Sequence, residues 1–289
     1  MKKYIPYFLL FPAIIAISLI IVYPIVLSLD ISFQDIKIAK LSSPRKEWTI
    51  DNYKKLFYSH EFWYACYTTI KLILIVTSVC FILGLTTALL VNRKFYGRKL
   101  ARLLVALPWA IPEIIAGTIW IWLFDSTSGL LNWIFIKIDI LDKPLNWFSN
   151  PTAAFSTVCA VMVWKGYPFI SIMLLAGLQS VPKELYEASK VDGAKKYQQF
   201  IFITIPSISP IIGVSLILLV LWVFRDFTII TLLTEGGPIG STRTLAILTY
   251  ETAFSYYKMG YGAAIGIVTL LFCLIVSIFM IKKTNTQIF

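Results

Sequence analysis

The sequence predicts an all-α membrane protein with six transmembrane helices, and three observations lead there. Its 289 residues are 58% hydrophobic and only 14% charged, where a soluble domain carries roughly 25% charged residues. Its apolar residues gather into six runs long enough to cross a bilayer, which takes about 20 residues of helix. Its positive charge collects in alternate connections between those runs. Backbone polar groups find no water in the hydrocarbon layer, so each run is expected as a helix.

In chain order the runs are 4–29, 72–91, 103–124, 153–178, 208–233 and 259–281. The first, second and sixth contain no charged residue, the third only Glu113, the fourth only Lys165 and the fifth the adjacent pair Arg225 and Asp226. The first run follows Met1-Lys2-Lys3. It is longer than a signal-peptide core and no small-x-small cleavage pattern closes it, so it reads as a retained span. There is no low-complexity tract and no clear repeat, and 1–289 reads as a single membrane domain.

With a cytoplasmic N-terminus and six alternating spans, the inside segments hold Lys2, Lys3, Arg93, Lys94, Arg98, Lys99, Arg102, Lys183, Lys190, Lys195, Lys196, Lys282 and Lys283. Against these 13 cations stand Glu184, Glu187 and Asp192, a net +10, and the rest of the chain holds 13 cations and 12 acids, a net +1. Positive residues near span ends mark the cytoplasmic side. Both termini are therefore expected in the cytoplasm. The net charge of +11 reflects orientation in the lipid bilayer, and no nucleic-acid partner is expected.

The outside loops on this topology are 30–71, 125–152 and 234–258. In the first, "WTIDNYKKLFYSHEFW" places Ile50, Tyr53, Leu56 and Phe57 at helical spacing. That suits a helix lying on the membrane surface, and equally a solvated loop helix. The last run opens "GYGAAIG", where Gly262, Ala263 and Gly266 make one side small enough for close approach by another helix. Cys66, Cys80, Cys159 and Cys273 lie in or beside apolar runs without paired spacing and read as packing residues. The lone histidine, His60, cannot by itself build a metal centre.

One segment does not fit the apolar pattern. "PKELYEASKVDGAKKYQQFIFITIP" puts charged, helix-forming residues between two spans. Pro182 suits a first helical position, Lys183 to Asp192 favour helix, and Gly193 supplies a left-handed stop. A second helix is expected over 194–205, ended by Pro206. From the residues alone, a cytoplasmic knob and a helix skimming the headgroups are equally supported.

The pattern "YEASKVDGAKKYQQFIFITIP" resembles the EAA loop of membrane subunits of binding-protein-dependent ABC importers. Glu187-Ala188-Ser189, Asp192-Gly193-Ala194, Phe200, Ile203 and Pro206 fall at that motif's spacing, with Ser189 standing where the motif has Ala. "YPFISIMLLAGLQSVPKELYEA", "LLTEGGPIGSTRTL", "YETAFSYYKMGYGAA", "LPWAIPEIIAGTIWIWLF" and "YFLLFPAIIAISLIIVYPIVLSLDISF" are similar to the maltose-type carbohydrate permeases, from the first span to the last. The resemblance implies one half of a type I ABC importer transmembrane domain in a bacterial cytoplasmic (inner) membrane. It implies a second homologous permease subunit, two ATPase subunits and an extracytoplasmic solute-binding protein as partners. It also implies ATPase coupling through Glu187, Ala188, Ser189, Asp192 and Gly193 in a loop spanning 180–206. The chain has no G-x-x-x-x-G-K-[ST] phosphate loop. ATP and Mg are expected on the partner ATPase, with no cofactor and no catalytic or metal residues here.

Ionisable residues inside a bilayer are functional candidates by default, and Trp109, Trp164, Tyr167, Phe169 and Trp222 accompany them in the same three runs. Aligned on its Pro and Gly landmarks, the resemblance places Trp109, Glu113, Lys165, Gly166, Phe169 and Asp226 on the substrate path. It places Gly236, Gly237 and Pro238, a tight turn, at an outer gate. "FRDFT" departs from the Asn-rich stretch common in sugar permeases, which leaves the sugar open. The alternative for Glu113 and Lys165 is an ion pair that holds the helices together. The implied activity is ATP-driven import of a sugar, an oligosaccharide for preference. A glycerol-phosphate importer subunit and an ion-coupled secondary transporter using Glu113 or Asp226 are the alternatives.

Overall fold

The computed structural model describes the backbone of residues 5–36 and 48–285, with side chains over 10–36 and 48–282. Lys2, Lys3, the start of the first expected span at Tyr4, and the side chain of Lys283 lie outside the described residues. Every regular element among the described residues is helical. The elements are α1 (Ile5–Ile17 and Tyr23–Ser32, joined by a π turn at Ser18–Val22), α2 (Asp51–Phe57), α3 (His60–Asn92), α4 (Arg98–Ala110) and α5 (Glu113–Leu123). After these come α6 (Leu130–Lys137), α7 (Pro151–Ser180), α8 (Lys183–Val191), α9 (Lys196–Arg225), α10 (Thr228–Thr234), α11 (Leu245–Tyr250) and α12 (Met259–Asn285). Five stretches, Leu10–Ser32, His60–Asn92, Pro151–Ser180, Lys196–Arg225 and Met259–Lys282, are single helices long and apolar enough to span a membrane. The sixth span is the pair α4 and α5, bent by 95°.

That bend corrects the expectation of one continuous helix over 103–124. Proline disfavours helical backbone in the residue before it, and Ile111, preceding Pro112, is extended at φ −70°, ψ 131°. The fifth expected span, 208–233, is also interrupted. Its helix ends at Arg225, Asp226 is extended at φ −63°, ψ 120°, and the chain becomes helical again at Thr228. Pro206 does not end a helix as expected. A π turn at Phe200–Thr204 precedes it and the helix runs on through Ile205–Arg225, because a widened turn accommodates the ring and the missing N–H. The second span starts at His60, twelve residues before its apolar run.

The chain packs as two compact units. One comprises the chain up to Cys66 together with Leu245–Phe272, the other Tyr67–Thr244 together with the chain from Cys273. In the first, the expected helix around 50–57 forms as α2 and is tied to the end of α1. Asn52, only 2% exposed, donates from Nδ2 to the carbonyls of Ser32 and Gln34, both at 3.0 Å. The small face of α12 also finds its neighbour within the chain: at Gly262 a Cβ would stand 2.9 Å from the Ala253 backbone.

In the second unit α7 is the central element. Its most apolar window is 61% buried, against 28% for α3 and 33% for α9. Asn150 starts it by accepting from the amides of Thr152 and Ala153, with Pro151 in the first turn. Upstream, Asp125 Oδ1 accepts from the Ser128 amide at 2.7 Å, the hydroxyls of Thr127 and Ser128, and the Thr127 amide. These donors, the Ser128 amide foremost, hold that carboxyl below the usual carboxylate range. Along α7 the helices α4, α9 and α10 pack directly, and α10 packs in turn on α5.

Glycine also permits a close approach of α3 to α7. A Cβ on Gly84 of α3 would lie 2.6 Å from Cγ2 of Ile170, a side chain with no exposed surface on α7. The branched Ile170 has no room to yield, so Gly84→Val is expected to destabilise the protein by about 1–3 kcal/mol through overpacking. Thermal unfolding of the purified protein in detergent checks this, and an unchanged midpoint would contradict the crossing.

Candidate functional site

Two regions hold the residues singled out by sequence. The first is the hairpin of α8 and α9. Pro182 sits at the N-cap of α8 with extended backbone at φ −59°, ψ 136°, one position before the first helical turn expected for it. Gly193 ends α8 at φ +79°. Ala194 N–H reaches the Ser189 carbonyl at 2.9 Å and Gly193 N–H the Lys190 carbonyl at 3.1 Å, the two bonds of a Schellman stop. The chain then turns directly into α9, where the Lys195 amide donates to Gln198 Oε1 at 2.7 Å.

Side-chain hydrogen bonds lock the two helices together. Tyr186 Oη pairs with Thr204 Oγ1 at 2.9 Å. Gln199 Nε2 donates to Ser189 Oγ at 2.9 Å, and Ser189 Oγ donates to the Tyr186 carbonyl at 2.9 Å. Ser189, at the third position of the motif, therefore faces inward and helps to fasten α8. Glu187, Ala188, Asp192 and Gly193 are exposed. With them on the outer side stand Leu185, 46% exposed, and Val191, 88% exposed. Sequence reasoning missed Tyr186, Gln199 and Thr204, since only the hairpin geometry brings positions 186 and 204 together.

The second region surrounds the two helix breaks in the second unit, and it gathers all six expected path residues. Trp109 at the end of α4 lies against Phe169 of α7, ring centroids 6.2 Å apart. Glu113 opens α5 and accepts from Trp222 Nε1 of α9 at 3.3 Å. Asp226 closes α9, is 6% exposed, and accepts at Oδ1 from the amide of Ile229 in the first turn of α10. Lys165, Gly166, Trp222 and Asp226 help to line a cavity of about 10 Å³, room for roughly one water molecule. Gly166 is buried where α7 meets Cys80 and Leu219.

Lys165 does not pair with Glu113. Its ammonium, on a residue 4% exposed, donates to the carbonyls of Ile111 at 2.6 Å and Trp109 at 3.3 Å. Both carbonyls belong to the bend between α4 and α5. Three of the four intramembrane charges are thus met in a way hydropathy cannot reveal: the acids at the starts of half-helices, the lysine at the end of one. Arg225, beside Asp226, is exposed.

The turn after α10 forms as expected. Gly236 has φ +84° and the Gly237–Pro238 peptide is cis. Gly237 N–H reaches the Thr234 carbonyl at 2.8 Å, and Thr242 Oγ1 donates to the Gly237 carbonyl at 2.9 Å. These bonds anchor the turn to the end of α10.

Residues 80–281 match the family model described as binding-protein-dependent transport system inner membrane component. The chain is 36% identical to the trehalose/maltose transport system permease protein MalF of Thermococcus litoralis, covering 94% of this chain and 90% of that one. It is 34% identical to the sulfoquinovosyl glycerol transport system permease protein SmoG of Agrobacterium fabrum, over 96% of this chain and 90% of that one. The fold matches a chain of a bacterial ABC transporter involved in import of the acidic polysaccharide alginate, with TM-score 0.84, 22% identity and coverage of 99% and 96%. With its six spans and this match over more than half its length, the chain belongs to the family of binding-protein-dependent transport system inner-membrane components, the permease subunits of ABC transporters.

Proposed function

We propose that this chain is one permease half of an ATP-driven, binding-protein-dependent importer for a sugar, an oligosaccharide for preference, in a bacterial cytoplasmic membrane. It works as one membrane domain with both termini in the cytoplasm. Its partners are a second homologous permease, two ATPase subunits that bind ATP and Mg, and an extracytoplasmic solute-binding protein. The observation that carries this reading is the locked hairpin: an exposed helix fastened by side-chain bonds to a long span whose far end carries Asp226. The sugar assignment is supported by the relatives, whose names cite trehalose and maltose, sulfoquinovosyl glycerol and, for a 32% identical permease of Streptomyces coelicolor, diacetylchitobiose.

The mechanism follows from mechanics. An ATPase that closes on α8 moves a helix bonded to α9 at Thr204 and Gln199. At 1.5 Å per residue, the 30 residues of α9 carry that motion about 45 Å toward the break at Asp226. The path residues around that break then rearrange, with Gly236, Gly237 and Pro238 serving the outer gate. Trp109 and Phe169 offer apolar ring faces to the sugar, Glu113 offers a hydrogen-bond acceptor next to the break held by Asp226, and the chain performs no covalent chemistry.

Three outcomes are expected of the complex co-expressed with its partners. Uptake of labelled sugar should stop on ATP depletion and survive collapse of the proton gradient; the reverse would establish an ion-coupled transporter. Glu187→Lys combined with Gly193→Pro should abolish uptake while the helix bundle stays folded, because charge and backbone are both wrong at the docking surface. Unchanged uptake would reduce α8 to a surface helix. Tyr186→Phe with Gln199→Ala removes three bonds across the hairpin worth about 1 kcal/mol each, so uptake per ATP hydrolysed should fall roughly tenfold or more. Parallel assays of uptake and hydrolysis check that ratio, and an unaltered ratio would show that the bonds do not transmit motion.

A further inference from the structure

We propose that Lys165 is a positioning residue that holds the bend between α4 and α5, and that it is not a ligand of the transported solute. The proposal rests on the permease reading for its consequence in transport, and on geometry alone for the role itself.

The last carbonyls of any helix lack intrahelical donors, and inside a bilayer water cannot replace them. The bend creates such an end in the middle of the third span. Pro112 has no N–H to offer, and the backbone bonds after the bend resume with the Ala116 amide donating to the Pro112 carbonyl. The carbonyls of Trp109 and Ile111 are left to a donor from elsewhere. Lys165 supplies it, reaching from the unbroken helix α7 to both oxygens at 3.3 and 2.6 Å. An ammonium has three donors and no acceptor, and a cation at a helix C-terminus is also favoured by the helix dipole. The residue is 4% exposed, so the stem is packed and the head is committed to backbone. A group meant to read a solute would keep its head in the path. Here the side chain instead pins the start of α5, and with it Glu113, to the central helix.

The same geometry explains why the two acids sit where they do. Glu113 and Asp226 stand at the starts of α5 and α10, where backbone amides lack partners, and these two half-helices pack on each other with Gly117 against Leu232. Lys165 supplies the complementary group at the end of α4, where carbonyls need donors. Its removal therefore changes the angle between α4 and α5 before it changes what a solute touches.

The test uses the complete transporter in nanodiscs with Lys165→Met and Lys165→Gln. Methionine keeps length without donors, whereas glutamine keeps two N–H donors without charge. Spin labels at Leu104 and Ile119, both exposed, in a background with the native cysteines replaced, report the distance across the bend. In Lys165→Met the distance distribution should broaden or shift, and kcat for substrate-stimulated ATP hydrolysis should fall about tenfold with KM within about twofold. In Lys165→Gln the distribution should remain narrow, with kcat within about threefold of wild type. The proposal is overturned if the distance is unchanged in Lys165→Met, or if KM rises alike in both variants while kcat is kept, which would make Lys165 a solute ligand. Where Lys165→Met fails to assemble, Lys165→Gln decides alone: a narrow distribution with near-native KM supports the role, and a raised KM at unchanged distance refutes it. The label distances need no transport, so an inactive wild-type complex would count against the importer reading and leave the capping test standing.

Discussion

The governing constraint is that a helix broken inside a membrane must have its stranded backbone groups satisfied by protein. Two breaks occur here, at Ile111–Pro112 and at Asp226, and the polar chemistry of the second unit is arranged around them. Lys165 meets carbonyls at the end of α4, and Asp226 meets an amide at the start of α10. Glu113 sits at the start of α5 and takes a hydrogen bond from Trp222. An unbroken helix would need none of these residues. The breaks and the intramembrane charges are therefore a single structural decision.

The decision requires a rigid reference, and α7 provides it. It is the most buried span, it carries Lys165, and α4, α9 and α10 pack along it, with α5 held through α10. Its glycine contacts let neighbours approach to distances a larger side chain would forbid. Interiors packed this closely shift between discrete arrangements rather than deforming smoothly. On the proposed mechanism a push on α9 would move a whole span against α7, and the non-helical joint at Asp226–Phe227 is where the chain could yield.

Hydropathy made the number of spans legible, because a run of some 20 apolar residues reports bilayer thickness whatever its backbone does. For the same reason it could not show that two of those runs are broken. At the first break Ile111-Pro112 is visible in the sequence but ambiguous, since other prolines in membrane runs, Pro206 and Pro168, are accommodated within helices. At the second, the only signal was Asp226 itself, which as a charge suggested a solute contact and as a capping group has a local backbone role. The stop at Gly193 was legible because positive φ is a property of one residue. The Tyr186–Thr204 and Ser189–Gln199 bonds were not, because they depend on where a turn sends the chain.

Charge placement finally reconciles an apolar protein with four ionisable residues in its spans. Amide-rich helix starts carry partial positive charge and carbonyl-rich ends partial negative charge, and here the acids are at starts and Lys165 is at an end. Lys165 and Asp226 are therefore each opposed by backbone groups and Glu113 by the Trp222 indole, and among the described side chains around the breaks no direct ion pair is needed to explain the burial. That arrangement suits a moving joint better than ion pairs would. Breaking an ion pair leaves two desolvated charges at once, whereas Asp226 stays with the α10 amide it accepts from however that half-helix is oriented.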